Sequence, residues 1–256
     1  MDATLNMNQA YNPSPEEMER EKAIKEKVSK NLLWFGIIGI VMMFSGLTSA
    51  VIVSKGGNFW ININMPMAFW ISTGLILLSS LTINMARTSI LKNNKSATKF
   101  LVLITLLLGI AFSISQFMGY KQLFDGGHAF TSRIFDDQGN PIPKGEYGKD
   151  YSISYKGEIL KMEEGIFFKS TGPLSDTERL KLINTRNTSS SYLYMLTFLH
   201  FLHMAGGLIY LIVVSVMAFR EKFDSSNCLK IKLSGIYWHF LGILWIYLFV
   251  FFQFIH

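Results

Sequence analysis

The five longest apolar runs of this chain contain no Asp, Glu or Lys, and that absence excludes whole classes of function. The runs are Leu32–Val53, Met65–Arg87, Phe100–Tyr120, Tyr192–Phe219 and Ser234–Phe254, and their one charged residue is the terminal Arg87. Each is long enough to cross a hydrocarbon core of about 30 Å, which takes ~20 residues. Ion and proton carriers normally keep a carboxylate at membrane depth. A neutral histidine can relay a proton near pH 7, but His200, His203 and His239 are too few to build a chain of relays. The pattern also lacks the internal repeat pair and interrupted helices of a secondary transporter.

Cysteine is nearly absent as well. The single thiol, Cys228, falls in a loop and excludes a disulfide framework. The stretch 121–190 has one histidine, His128, no cysteine and no C-x-x-C-H, which excludes covalent haem and a copper centre there. No cleavable signal peptide is visible. The first apolar run starts near residue 31 and is too long for a signal core, so it reads as a retained anchor.

Charged residues make up only 16% of the chain, and the net charge of +6 does not indicate nucleic acid. The basic excess sits beside the spans: Arg20 to Lys30, then Arg87 to Lys99, then Arg220 to Lys232. In a five-span chain these three segments share one side. The positive-inside rule puts that side, with the N-terminus, in the cytoplasm and His256 in the periplasm. The opposite side carries Lys55 and a loop with ten basic and ten acidic residues.

The organisation that follows is an all-α integral membrane protein, a five-transmembrane-helix bundle with a small periplasmic α+β insertion between helices 3 and 4. Residues 1–30 form a cytoplasmic segment, 31–120 the first three helices, 121–190 the insertion and 191–256 the last two helices. Ser14 as N-cap, Pro15 at the first helical position and acids in the first turn predict a helix running into the first span. In the insertion, Asp137-Gln138-Gly139-Asn140-Pro141 reads as a turn. Tyr151–Tyr155 and Glu158–Leu160 read as a hairpin around Lys156-Gly157. Ser175-x-x-Glu178 is a capping box that starts a helix running to about Arg186. A segment of this size is marginal alone and should lean on the bundle or on a partner.

Polar chemistry inside the membrane is confined to hydroxyls, the amides of Asn84, Gln116 and Gln253, and imidazoles. His200 and His203, three apart, follow Thr197 and precede Gly206-Gly207, so one helix carries a stripe of small and polar side chains facing protein. Gln116 and Tyr120 close the third span, and Trp238-His239 opens the fifth. The second span holds Ser72, Thr73, Ser79, Ser80 and Thr82. Hydrogen bonding between helices is the plain reading for all of these. The alternative is a membrane cytochrome b, with His203 or His200 and His239 as axial ligands from facing helices. A His-x-x-His metal site has no carboxylate or thiol nearby to complete it.

Tyr194-Met-Leu-Thr197-x-x-His200-x-x-His203-x-x-Gly206-Gly207 closely resembles the best-known signature of subunit III of haem-copper oxidases. Tyr237-Trp238-His239-Phe240 with Trp245 is similar to that family's closing helix. Pro66, Thr73 and Leu77–Ser80 in span two, and Leu106, Gly109, Phe112, Gln116 and Tyr120 in span three, extend the resemblance. It covers roughly 30–120 and 191–254 and is similar to the five-helix bacterial form. Three positions where members often carry an acid hold Ile40, Gly119 and Gly242, and 121–190 has no matching counterpart.

The resemblance implies a non-catalytic accessory subunit of a respiratory cytochrome c oxidase in a bacterial inner membrane. It implies haems and copper in partner subunits I and II, none on this chain, and phospholipid in a helix cleft. Gln116, Tyr120, Thr197, His200, His203, Gly206, Gly207, Trp238 and His239 would be the packing and cleft residues. Through 121–190 the partners would include subunit II, cytochrome c or another respiratory complex. The accessory protein of nitric oxide reductase shares the signature and stays open as a second reading.

Overall fold

The computed structural model describes residues 14–130, 132–136, 141–163, 165–223 and 228–255. Residues 137–140 of the expected turn and all of the first thirteen residues lie outside them. Among the described residues five helices are long and apolar enough to span a membrane, so the chain is a multi-pass membrane protein.

Helix α1 covers Pro15–Gly57 without a break, about 65 Å at 1.5 Å per residue. It starts where Ser14 and Pro15 predict. The Ser14 hydroxyl accepts from the Glu17 N–H while the Glu17 carboxylate accepts from the Ser14 N–H, a reciprocal cap. Its buried residues, Ile37, Phe44, Thr48 and Val51, form one narrow stripe. Strand β1 (Phe59–Ile63) follows directly, and α2 (Met67–Leu91) begins after Pro66, which occupies the N-cap position. Helix α3 (Lys95–Asp125) returns antiparallel to α2 and packs more extensively on it than any other pair does.

Five short strands come next: β2 (Tyr151–Tyr155), β3 (Glu158–Ile159), β4 (Lys161–Glu163), β5 (Ile166–Lys169) and β6 (Gly172–Pro173). Helix α4 (Asp176–Asn184) starts at the expected Ser175–Glu178 box. The long α5 (Thr188–Phe219) and α6 (Leu229–Ile255) complete the bundle. Helix α6 lies against α1, α2 and α5, and α3 lies against α2 and α5.

The extramembrane layer is not confined to 121–190. Strand β1 pairs antiparallel with β2, from Phe59↔Tyr155 to Ile63↔Tyr151, and β2 pairs with β3 at the expected hairpin. All five β1 residues are buried, and α5 packs under them. Trp60 stacks on Tyr192 at 6.3 Å, and the Tyr192 hydroxyl bonds Ser54 at 2.9 Å. The link between the first two spans thus ties the layer to the bundle. A second antiparallel sheet, β4-β5-β6, packs Phe167 on Phe135 and Tyr147. Lys169 Nζ donates to both Glu178 oxygens at 2.8 Å. That ammonium, with the capping bonds of Ser175, holds the Glu178 carboxyl down at about 2.

A polar seam through the bundle

Helix α2 presents Ser72, Thr73, Ser79, Ser80 and Thr82 toward its neighbours, a spacing that repeats over two turns on one side. Four of these hydroxyls donate to carbonyls on their own helix: Ser72 and Thr73 to Phe69 at 2.8 Å, Ser79 to Ile76 and Thr82 to Ser79 at 2.9 Å. Each oxygen then has lone pairs free to accept. Gln116 Nε2 donates to Ser72 Oγ at 2.8 Å, Trp245 Nε1 to Thr73 Oγ1 at 3.0 Å and Trp238 Nε1 to Ser79 Oγ at 2.9 Å. Thr82 and Thr105 share a bond of 2.7 Å, and Ser80 Oγ bonds His239 Nδ1. An indole N–H can only donate, so a hydroxyl that has spent its proton on its own backbone is the partner it needs in hydrocarbon.

The three span histidines part company. His239 bonds across to α2 through Ser80. His203 turns Nδ1 to its own helix at the Leu199 carbonyl, 2.7 Å away, and its ring lies 6.0 Å from Phe44 of α1. A carbonyl only accepts, so His203 carries its proton on Nδ1. His200 is 1% exposed, 6.1 Å from the Phe112 ring and 5.4 Å from Trp245. His203 therefore faces α1 while His239 faces α2, and the pair is not set to ligate one haem iron. Among the described residues no three His, Cys, Asp or Glu side chains gather as a metal site.

The other expected residues fall into layers. Thr197 donates to the Leu193 carbonyl at 2.6 Å, and Tyr120 packs between Phe69, at 6.1 Å, and Tyr194, at 5.7 Å. Gly207 lets α6 approach, for a Cβ there would lie 3.0 Å from Leu241 Cδ1. Gly206, its neighbour, has nothing within 4 Å and opens onto a groove of about 580 Å³. Leu32, Ile40, Tyr210 and Tyr237 line that groove between α1 and the α5–α6 pair. Sequence reasoning did not foresee the role of Gly109, where a Cβ would sit 2.7 Å from the edge of Trp238, nor that Trp245 joins α2 to α6. The signal for both was the small residue and the hydroxyl that each indole needs opposite it.

Of the positions where related proteins often carry an acid, Gly119 is filled by packing and Gly242 has room for a small side chain. A Cβ at Gly119 would lie 2.5 Å from Phe69 Cε1, and one at Gly242 would lie 3.5 Å from Ile76. Phe69 occupies the space a side chain at 119 would need.

This is a membrane scaffold: five helices cross-linked by neutral polar pairs, and an outer layer rooted on their ends. Residues 178–255, which hold α5 and α6, match the family model for cytochrome c oxidase subunit III. Over 234 residues the chain is 24% identical to cytochrome c oxidase subunit 3 of Alkalihalophilus pseudofirmus, spanning 90% of this chain and 88% of that protein. It is 35% identical over 100 residues to the probable cytochrome c oxidase subunit 3 of Mycobacterium tuberculosis, 38% of this chain and 49% of that protein, and matches that of Mycobacterium bovis equally. The chain is thus a relative of subunit III of the haem-copper oxidases, as its histidine–glycine and Tyr-Trp-His motifs implied.

Proposed function

We propose that this chain is the accessory, non-catalytic subunit of a respiratory haem-copper oxidase of the cytochrome c oxidase type. It stabilises the catalytic subunit in a bacterial inner membrane and binds phospholipid. One observation carries the reading: the hydroxyls of α2 pair with the amide N–H of Gln116, the hydroxyl of Thr105 and the indole and imidazole groups of α6. Such a bundle holds its own helices and its neighbours in place. Haems and copper belong to subunits I and II in this reading. The apolar groove beside Gly206 suits an acyl chain. The basic loops put the N-terminus on the cytoplasmic side and the outer layer in the periplasm, where it docks subunit II, a cytochrome c or another respiratory complex.

Mild-detergent purification through a tag on this chain, with mass spectrometry and a haem spectrum, tests this. The expected result is co-purification of haem- and copper-bearing polypeptides with no haem on the isolated chain. A chain that migrates alone, or carries its own stoichiometric haem band, overturns it. Removing the β4–β6 sheet (161–173) leaves the β1–β2 pairing in place, so it tests docking separately. Unchanged recovery of every partner would remove the docking role and leave the accessory role standing.

A further inference from the structure

We propose that the bundle holds ordered water in the layer around His200. Three polar atoms there are buried without a protein partner, both ring nitrogens of His200 and Oε1 of Gln116, and the hydroxyl of Tyr120 adjoins Thr197. His200 and Gln116 are each 1% exposed. The groups come from facing stretches of two antiparallel helices. Phe112 meets His200 at 6.1 Å, and Tyr120 meets Tyr194 at 5.7 Å. Gln116 lies one turn from Phe112 and one turn from Tyr120, so it stands level with Thr197 and His200 between these two ring pairs. Trp245, 5.4 Å from His200 and 5.8 Å from Phe69, walls the layer on the α6 side.

The unmet valences define the ligand. A neutral imidazole offers one N–H and needs one donor. Gln116 has committed Nε2 to Ser72, and its Oε1 needs a donor too. The Tyr120 hydroxyl both gives and takes. A cation could accept nothing from the His200 N–H, and an anion could donate nothing to Oε1 or to the bare ring nitrogen. A water molecule donates two hydrogen bonds and accepts two, and it is small enough for a layer walled by Phe69, Phe112 and Trp245. Buried polar groups with no protein partner are the usual site of structural water. Such a water would link α3 to α5 through Gln116 and His200. It would also select the tautomer of His200.

A density map of the intact complex, at a resolution that shows ordered solvent, tests this without any variant. The expected result is at least one solvent peak within hydrogen-bond distance of a His200 nitrogen and of Gln116 Oε1 or the Tyr120 hydroxyl. A dry layer, with His200 bonded directly to Gln116 or Tyr120, overturns the proposal. Radiolytic hydroxyl labelling of the same complex gives an independent readout, because side chains touching bound water are oxidised where they sit. His200 should be modified faster than Trp238, which is equally enclosed at 1% exposure but bonded to Ser79. An indole is the more reactive ring, so a His200 rate at or below that of Trp238 counts against the water.

Discussion

Helices α1 and α2 are both apolar spans with glycine and hydroxyl residues, yet they are built into the molecule in opposite ways. In α2, Ala68, Phe69, Ser72, Ile76, Ser79, Ile83, Ala86 and Ile90 are buried, and its hydroxyls take bonds from α3 and α6. Helix α1 is the longer, but only Ile37, Phe44, Thr48 and Val51 are buried. Thr48 bonds Tyr247 at 3.0 Å and Ser54 bonds Tyr192, and Gly36, Gly39 and Gly46 have nothing within 4 Å. The glycines of the core do the reverse: Gly109 and Gly119 sit where a neighbour's ring has taken the place of a side chain. Similar composition thus serves two ends. In α2 the hydroxyls are consumed by bonds from α3 and α6, and in α1 two hydroxyls bond other helices while the glycines are left on the outside.

The comparison breaks most visibly at Trp238, 1% exposed and bonded to Ser79 from α2. Trp238→Ala removes a large buried ring and orphans an acceptor, and should cost about 3–5 kcal/mol. The measurement is the thermal midpoint of the detergent-solubilised chain, together with its yield in membranes. A midpoint within a degree or two of wild type would mean that the seam does not hold α6 to α2. Gly109→Val approaches the same contact from the other side. Its side chain would enter the Trp238 edge and Leu208, and the expected cost is about 1–3 kcal/mol. Trp238→Phe in the Gly109→Val background should recover part of that loss, which a general effect of valine on α3 would not allow.

An intermediate effect comes from pH, which can load one buried group while leaving the neutral pairs of α1 and α2 untouched. His128, just beyond α3, is 6% exposed with Nδ1 unpartnered and its ring 6.4 Å from Tyr151. Burial pushes its pKa down to about 4. The unfolded chain takes up the proton near 6.5 and the folded chain only near 4, so stability is full above about 6.5 and falls as pH drops to 4. The expected loss is about 1–3 kcal/mol across that window. It should appear as a falling midpoint or faster proteolysis of the outer layer, and His128→Gln should flatten it. An unaltered slope in that variant would assign the acid sensitivity elsewhere.

Local features were legible in the chain. Ser14-Pro15 and Ser175-x-x-Glu178 start helices, and Tyr151–Ile159 forms a hairpin, because caps and tight turns are decided within a few residues. Strand β1 was not legible. Phe59–Ile63 looks like a linker between spans, and its partner strand lies far along the chain at Tyr151–Tyr155. The site was half legible for a related reason. Gln116, Trp238 and the histidines stand out as polar residues in apolar runs. Which helix each one meets depends on how the helices are rotated, and no spacing in one helix reports the rotation of another. His200 and His203, three apart, are separated by about 60° around the axis. That is enough to put one in the core and the other against α1.

A smaller effect is expected at Trp245→Phe, which keeps the ring against Phe69, Phe112 and His200 but removes the N–H that reaches Thr73. Hydrogen bonds between membrane helices average about 0.6 kcal/mol, since the separated helices also find partners. Thr73 still donates to Phe69, so a shift of that size is expected rather than the several kcal/mol of an emptied site. A much larger loss would mean that the indole also organises the layer around His200.

The smallest effect sharpens the comparison from the other end. Gly39→Ala and Gly46→Ala place a methyl group in open space on α1, in a helix that gains from replacing glycine. The isolated chain should change by no more than about 0.5 kcal/mol, in either direction. The same positions changed to Leu test what the open face is for. If it faces only lipid, Leu is as well accommodated as Gly, and recovery of the partner subunits stays as it was. If a helix of the assembly lies along α1 and uses those glycines to come close, bulk there keeps the chain folded and inserted while partner recovery falls. Midpoint and co-purification, read on the same variants, therefore separate a helix that is peripheral in the chain from one that is central in the complex.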